Sequence, residues 1–412
     1  MKKKENLSVL ALLAILAILP AGRPVRAQDD AMAKVTRGWN ALKEGKLKEA
    51  KATFQSLLDA SPNYDFAWYA LGQVAIREKK LDEAISHFKK AIEINPKKFD
   101  YAYGLSATYR AKKEYAKAIA TLNNSEELAQ TKQSRYLLHL ERGLSYSSLR
   151  QHDRAVADLR EAVKLQPADK RANQTLGISL VALEKYQDAI PPLETAVKAG
   201  PKDSVSQYYL ARALINAALE QRDKTAKAAL YKKAVTAASA SYSVRSSTDT
   251  LSVLARAQLG AKQFSGAVKS FGSLVKARPK SCTALFNLGQ AHLGAQNWKG
   301  ASAALEKASA CDPKNTLILS SLGFAYLKLK ALDKSLAAYE KAYAIKSTPV
   351  FANKIADVKK RIQVMAENER IEKENAAALA QQKAEEEEYA RKKAAYEEEQ
   401  RKLKAYEKAK DN

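Results

Sequence analysis

The sequence predicts an all-α chain: an α-solenoid of about nine helix–turn–helix repeats followed by a C-terminal charged helix. Three observations predict it. Prolines recur at a spacing of 34 residues, Pro62 to Pro96, Pro167 to Pro201 and Pro279 to Pro313. Ahead of each of these stretches' closing prolines, the same small set of residue types recurs at the same offsets. From Glu367 onward the chain is almost all Glu, Lys, Arg, Ala and Gln, with no Gly or Pro. Self-similarity at this period marks stacked supersecondary units, each unable to bury its apolar face alone.

The N-terminal segment reads as a processing signal. Lys2, Lys3 and Lys4 form a basic start, Leu7–Leu19 is an apolar run of 13 residues, and Val25-Arg26-Ala27 ends on a small residue. Residues 1–27 therefore read as a signal peptide. The competing reading is an uncleaved N-terminal anchor, against which the shortness of the apolar run counts. No cysteine follows the run, which disfavours a lipid-anchored form. The mature chain is expected to be exported, periplasmic or secreted.

Within the repeats, the stretch from Asp65 to Pro96 places Trp68, Leu71, Gly72 and Ala75 on one helix, then Ala84, Phe88 and Ala91 on a second. The stretch from Lys170 repeats this with Leu176, Gly177, Leu180, Ala189, Leu193, Ala196 and Pro201. From Cys282 it reads Leu285, Leu288, Gly289, Ala301, Leu305, Ala308 and Pro313. Spacings of three and four put each set on one helical face. The proline ends the second helix, which it cannot continue. Gly72 and Ala84 are expected where the two helices come closest, with Trp68 and Phe88 as knobs between hairpins.

This pattern resembles the tetratricopeptide repeat family, a 34-residue helix–turn–helix unit with small residues at fixed positions and a closing proline. The resemblance covers Ala31 to Pro349 and implies a right-handed superhelix that binds protein or peptide partners. Nine units start near Ala31, Asp65, Phe99, Tyr136, Lys170, Ser204, Thr248, Cys282 and Thr316. The third lacks its proline and runs into Asn123-Asn124, so a looser exit is expected. The sixth carries extra residues before Tyr231 and Ala234, read either as longer helices or as a projecting loop.

The resemblance also implies that first helices line the concave face. Carried across, the groove positions hold Tyr69, Arg77, Tyr103, Arg110, Arg171, Tyr208, Arg212, Arg256, Phe286, Asn287 and Gln290, with Trp39, Phe66, Tyr209 and Phe324 beside them. Tyrosine and arginine are favoured binding anchors. The bland alternative is packing between repeats, especially for Phe66 and Tyr209. A family set that grips C-terminal carboxylates has no counterpart here: Asn287 fits one position, but Ser252, Arg256, Leu317 and Ser321 do not complete it.

Net charge is +25, of which about +22 lies in the repeats. Such an excess favours acidic partners: acidic peptide segments first, with peripheral contact to an anionic envelope surface as an alternative class of function. Nucleic acid is disfavoured for an exported chain without a binding module. Salt separates the two classes, since polyanion docking is screened and groove recognition is not. The only two cysteines, Cys282 and Cys311, occupy the two ends of the eighth repeat. In an antiparallel hairpin those ends are neighbours, so a disulfide and two unpaired small residues are both open readings. No cofactor or metal is expected, and no catalytic residue: His87, His139, His152 and His292 lie in separate elements. Neither a zinc-protease signature nor a phosphate-cradling glycine loop is present.

Past Pro349, Ile355, Val358, Ile362 and Met365 form an apolar stripe suited to capping the last repeat over residues 350–366. Residues 367–412 form a charged arm in which Glu387, Glu388, Glu397 and Glu398 each precede a basic residue by four. That order supports an isolated helix. Tyr389, Tyr396 and Leu403 recur every seven residues, which leaves a coiled coil, and with it a homodimer, as the competing reading.

Overall fold

A computed structural model describes residues 25–410, with side-chain environments for residues 29–406. The expected signal peptide lies outside the described residues except for its last three positions. Every regular element among the described residues is helical. No described helix is long and apolar enough to cross a membrane. The helices fall into two compact units, the first ending at Ser246 and the second starting at Ser247.

The first unit is a run of helical hairpins: α1 (Val25–Lys43) with α2 (Leu47–Ala60), α3 (Asp65–Arg77) with α4 (Leu81–Ile94), and α5 (Phe99–Ala111) with α6 (Tyr115–Asn123). A 3₁₀ turn, Glu126–Leu128, leads to α7 (Lys132–Ser148) with α8 (His152–Leu165). Then come α9 (Lys170–Ala182) with α10 (Tyr186–Ala199), and α11 (Ser204–Glu220) with α12 (Lys224–Val244). The second unit holds α13 (Thr248–Gly260) with α14 (Phe264–Ala277), α15 (Cys282–Gly294) with α16 (Trp298–Cys311), α17 (Thr316–Lys328) with α18 (Leu332–Ile345), and α19 (Pro349–Lys410). First helices begin at Asp65, Phe99, Lys170, Ser204, Thr248, Cys282 and Thr316, where the repeat register puts them. The fourth begins at Lys132, not Tyr136, because Thr131 and Ser134 form a capping box that starts the helix a turn early.

Within each unit, each hairpin packs on the next, and consecutive first helices also touch one another. The first helices therefore share one wall. Bulky knobs hold the stack. The Phe88 ring is completely buried. It fills the space where a Cβ on Gly72 would come within 2.7 Å and one on Gly104 within 2.8 Å. Gly72 thus faces a ring of its hairpin partner, and the same ring reaches the glycine of the following hairpin. The periodic proline has a second role beyond ending helices. Its carbonyl accepts from the Trp68 indole (2.8 Å at Pro62) and the Asn173 amide (2.8 Å at Pro167) in the next first helix.

All hairpin turns but the sixth hold a left-handed residue: Gly45, Lys79, Lys113, Arg150, Glu184, Lys262, Gln296 and Lys330. Only the first is glycine, so the others carry a Cβ penalty of about 1–2 kcal/mol, partly offset because glycine loses more chain entropy. Changing Lys79, Lys113 and Lys330 together to Gly is expected to raise the melting temperature, each releasing about 0.5–1 kcal/mol. A lowered melting temperature would contradict that reading of the turn.

Two further expectations need correction, and one reading left open is decided. The exit of the third repeat is pinned rather than loose. Arg142 on α7 donates to Asn123 Oδ1 (3.0 Å), to Glu126 Oε2 (2.8 Å) and, from two nitrogens, to Asp158 on α8 (2.8 and 2.9 Å). His139 Nδ1 lies 2.9 Å from the same Asp158 carboxylate. Burial pushes the Asp158 carboxyl towards its neutral form, but the His139 and Arg142 hydrogen bonds outweigh it and hold the carboxyl below its ordinary range. In the sixth hairpin the extra residues lengthen the helices, to 17 residues in α11 and 21 in α12. Finally, cap and arm are one helix of 62 residues. Phe351 and Val358 are buried in it, whereas Met365 is 48% exposed and takes no part in the cap. Beyond Ile362 the helix is solvated almost throughout. Pairs such as Glu388–Lys392 (2.7 Å) and Glu398–Lys402 (2.8 Å) close along it as the order of charges requires.

Candidate binding surface

The first-helix wall of the first unit has three stretches of different chemistry. Towards its start, Trp39 on α1 meets Phe66 and Tyr69 on α3 with ring centroids 6.0 and 6.5 Å away. Tyr69 also contacts Tyr101 at 5.0 Å and the knob Phe88 at 5.7 Å. Burial, with Asp100 adding to it, pushes the Tyr69 phenol well above its ordinary value, so it stays protonated. Tyr69 thus belongs to the core as much as to the wall. Arg77, at the end of α3, donates to the Leu42 carbonyl at 3.4 Å and so closes the gap to α1.

In the middle stretch, Tyr103 stacks on Phe99 at 6.2 Å. Arg110 on the same helix is ion-paired with Glu141 on α7, a residue only 1% exposed. Burial first, and the Glu141 charge second, raise the Tyr103 phenol. Arg171 on α9 lies beside Tyr103 and Tyr136. Tyr103, Arg110 and Arg171 are therefore brought together, around an acid that the choice of groove residues left out. Glu141 stands at a groove position of the fourth repeat, and an acid there was a legible signal.

In the last stretch, on α11, the rings of Tyr208 and Tyr209 meet edge to face at 5.2 Å. The Arg212 guanidinium sits 5.6 Å from one ring centroid and 5.4 Å from the other. At the start of the same helix, Asp203 is held by Lys170 (3.1 Å), Ser206 (2.8 Å) and the Gln174 amide.

In the second unit, Arg256 is exposed on α13. Phe286 packs into the apolar cluster around Leu285, Leu305 and Ile318. Asn287 is half-buried, and Gln290 donates to Ser321 at 2.7 Å. Phe324, 38% exposed, meets Trp298 at 6.1 Å, and Lys328 lies over both rings. The lysine and tryptophan of that group were not singled out in the sequence. Cys282 and Cys311 are paired as a disulfide, with Cα atoms 5.6 Å apart, joining the start of α15 to the end of α16. Among the described residues no cluster of His, Cys, Asp or Glu is placed to hold a metal ion.

A family profile described as tetratricopeptide repeat matches residues 35–99, 140–204, 174–242, 253–316 and 288–348. A second profile of the same description matches residues 75–138. No curated protein matches the chain. Solved structures similar to part of it include MamA, at 20% identity over 42% of this chain and 93% of that one, with a TM-score of 0.36. Another is pilF of Pseudomonas aeruginosa, at 16% identity over 55% of this chain and 97% of that one, with a TM-score of 0.47. A third is YrrB, described as a repeat protein of this kind with an unusual peptide-binding site, at 17% identity over 48% and 96%, TM-score 0.40.

Proposed function

The chain belongs to the tetratricopeptide repeat family, and on that premise we propose that it is a non-catalytic scaffold of the cell envelope, holding a peptide segment of a protein partner on its first-helix wall. Domains of this family bind protein or peptide partners. The observation that carries the choice of surface is the lining itself: on the first unit's wall, α3, α5 and α11 each carry partly exposed tyrosine together with arginine, and α9 adds the exposed Arg171. Such side chains join large contact area to hydrogen bonding and are common binding anchors. The outward faces of second helices instead present solvated charges such as Lys89, Lys90 and Glu93 on α4.

An acidic segment suits the wall because the repeats hold about +22 of the net charge. Export rests on the sequence of residues 1–27, and the pairing of Cys282 with Cys311 supports an oxidising compartment. The solvated length of α19 reads as a spacer, with Tyr389, Tyr396, Leu403 and Tyr406 exposed along it as a second contact.

One experiment tests surface and compartment together. The full chain, expressed with its own N-terminal segment, carries a photoreactive residue at exposed wall position Arg171 or at outward position Lys89. Mass spectrometry is expected to find the mature chain starting at Gln28. Crosslinks to a partner are expected from position 171 and not from 89, and they should persist at physiological salt. Equal capture from both positions, or capture only at low salt, would favour unspecific polyanion docking instead.

A further inference from the structure

Resting on that reading of the wall, the geometry points to one anchor: we propose that Arg212, racked on Tyr208 and Tyr209, takes a carboxylate of the bound segment. Arg77 is spent on the Leu42 carbonyl. Arg110 is spent on Glu141, and Arg142 on Asp158 and Glu126. Arg171 is exposed, with Asp169 as a nearby charge. Arg212 has neither carboxylate nor carbonyl as a guanidinium partner among the described residues, and unlike the exposed Arg171 it is held over two rings.

It is also held in place. Its guanidinium carbon lies 5.6 and 5.4 Å from the two ring centroids, which restricts its swing. Its N–H groups have no acceptor among the described residues, and their fork is the part that matches a carboxylate bidentately. The one acid at the start of the same helix, Asp203, is satisfied by Lys170, Gln174 and Ser206 and does not compete. Arg256 in the second unit is exposed but has no such rack, so binding there would have to order a free side chain.

The ligand chemistry is a carboxylate on a peptide, either an Asp or Glu side chain or the C-terminal group. The test is a selection of displayed random dodecapeptides on the intact chain. The best binder is then synthesised with a free and with an amidated C-terminus, and its Kd is measured on wild type, Arg212→Ala, Arg212→Lys and Tyr208→Ala. Selected peptides are expected to carry a carboxylate in common. Arg212→Ala should weaken binding roughly ten- to hundredfold, the range of a charge-assisted hydrogen-bonded pair. Lysine should recover only part of the loss, because it restores charge but neither fork nor stack. Tyr208→Ala should weaken binding with Arg212 still present. Amidation tells the two carboxylate sources apart, and either outcome supports the anchor. Peptides without a shared acid, or unchanged affinity in Arg212→Ala, would overturn the anchor and leave the peptide-binding wall standing. If the wild-type chain selects no peptide at all, the wall reading fails and the anchor falls with it.

Discussion

Replacing Phe88 with alanine is expected to destabilise the first unit by about 3–5 kcal/mol, the upper range for emptying a buried aromatic site. The ring has no solvent exposure. Its edge lies against Gly72 of its own hairpin and Gly104 of the next, so one substitution loosens both a hairpin and the joint between hairpins. In a stacked array the joint between neighbours is a stability term of its own. Collapse cannot refill the hole cheaply, because the glycines contribute no side chain to move into it. Urea unfolding followed by amide exchange in α3 and α5 would read the effect. A loss below about 1.5 kcal/mol, the range of a conservative core swap, would mean that Phe88 is not the joint's knob.

Arg110→Ala is expected to cost a similar amount, about 3–5 kcal/mol, for an electrostatic reason. Glu141 is 1% exposed and ion-paired with Arg110, so removing the guanidinium strands a buried carboxylate. The pair itself need not stabilise the fold. Arg110→Met combined with Glu141→Leu should return to within about 1 kcal/mol of wild type or exceed it, since apolar isosteres often match a buried ion pair. Calorimetry on the single and double variants decides it. A harmless Arg110→Ala would show that Glu141 reaches water, and Arg110 would regain its standing as a free groove cation. Until the double variant is in hand, lost partner binding in Arg110→Ala reports on the wall's integrity rather than on contact.

What the sequence made legible follows from the range of the forces involved. Hairpin starts such as Asp65, Lys170 and Cys282 were readable because proline spacing and helical periodicity are local. The nearness of Cys282 and Cys311 was readable because hairpin geometry brings the first and thirtieth positions of a repeat together. The exit after Asn123 was misjudged for the opposite reason. A missing proline suggested slack, while the side chain that removes it, Arg142, lies on the next first helix and also reaches Asp158 on α8. Met365 continued the stripe's spacing but lies past the end of the repeat it would cover. The arginines of the wall looked equivalent in sequence. Their partners, a backbone carbonyl for Arg77, Glu141 for Arg110, two tyrosine rings for Arg212, depend on which helices stand side by side.

Amide hydrogen exchange on the intact chain, with and without the crosslinked partner's binding segment, tests most directly whether the first-helix wall does the binding. Protection gained on α5, α9 and α11, with α4, α8 and α10 unchanged on their outward faces, is the predicted footprint. Protection confined to those second helices or to the solvated length of α19 would contradict it.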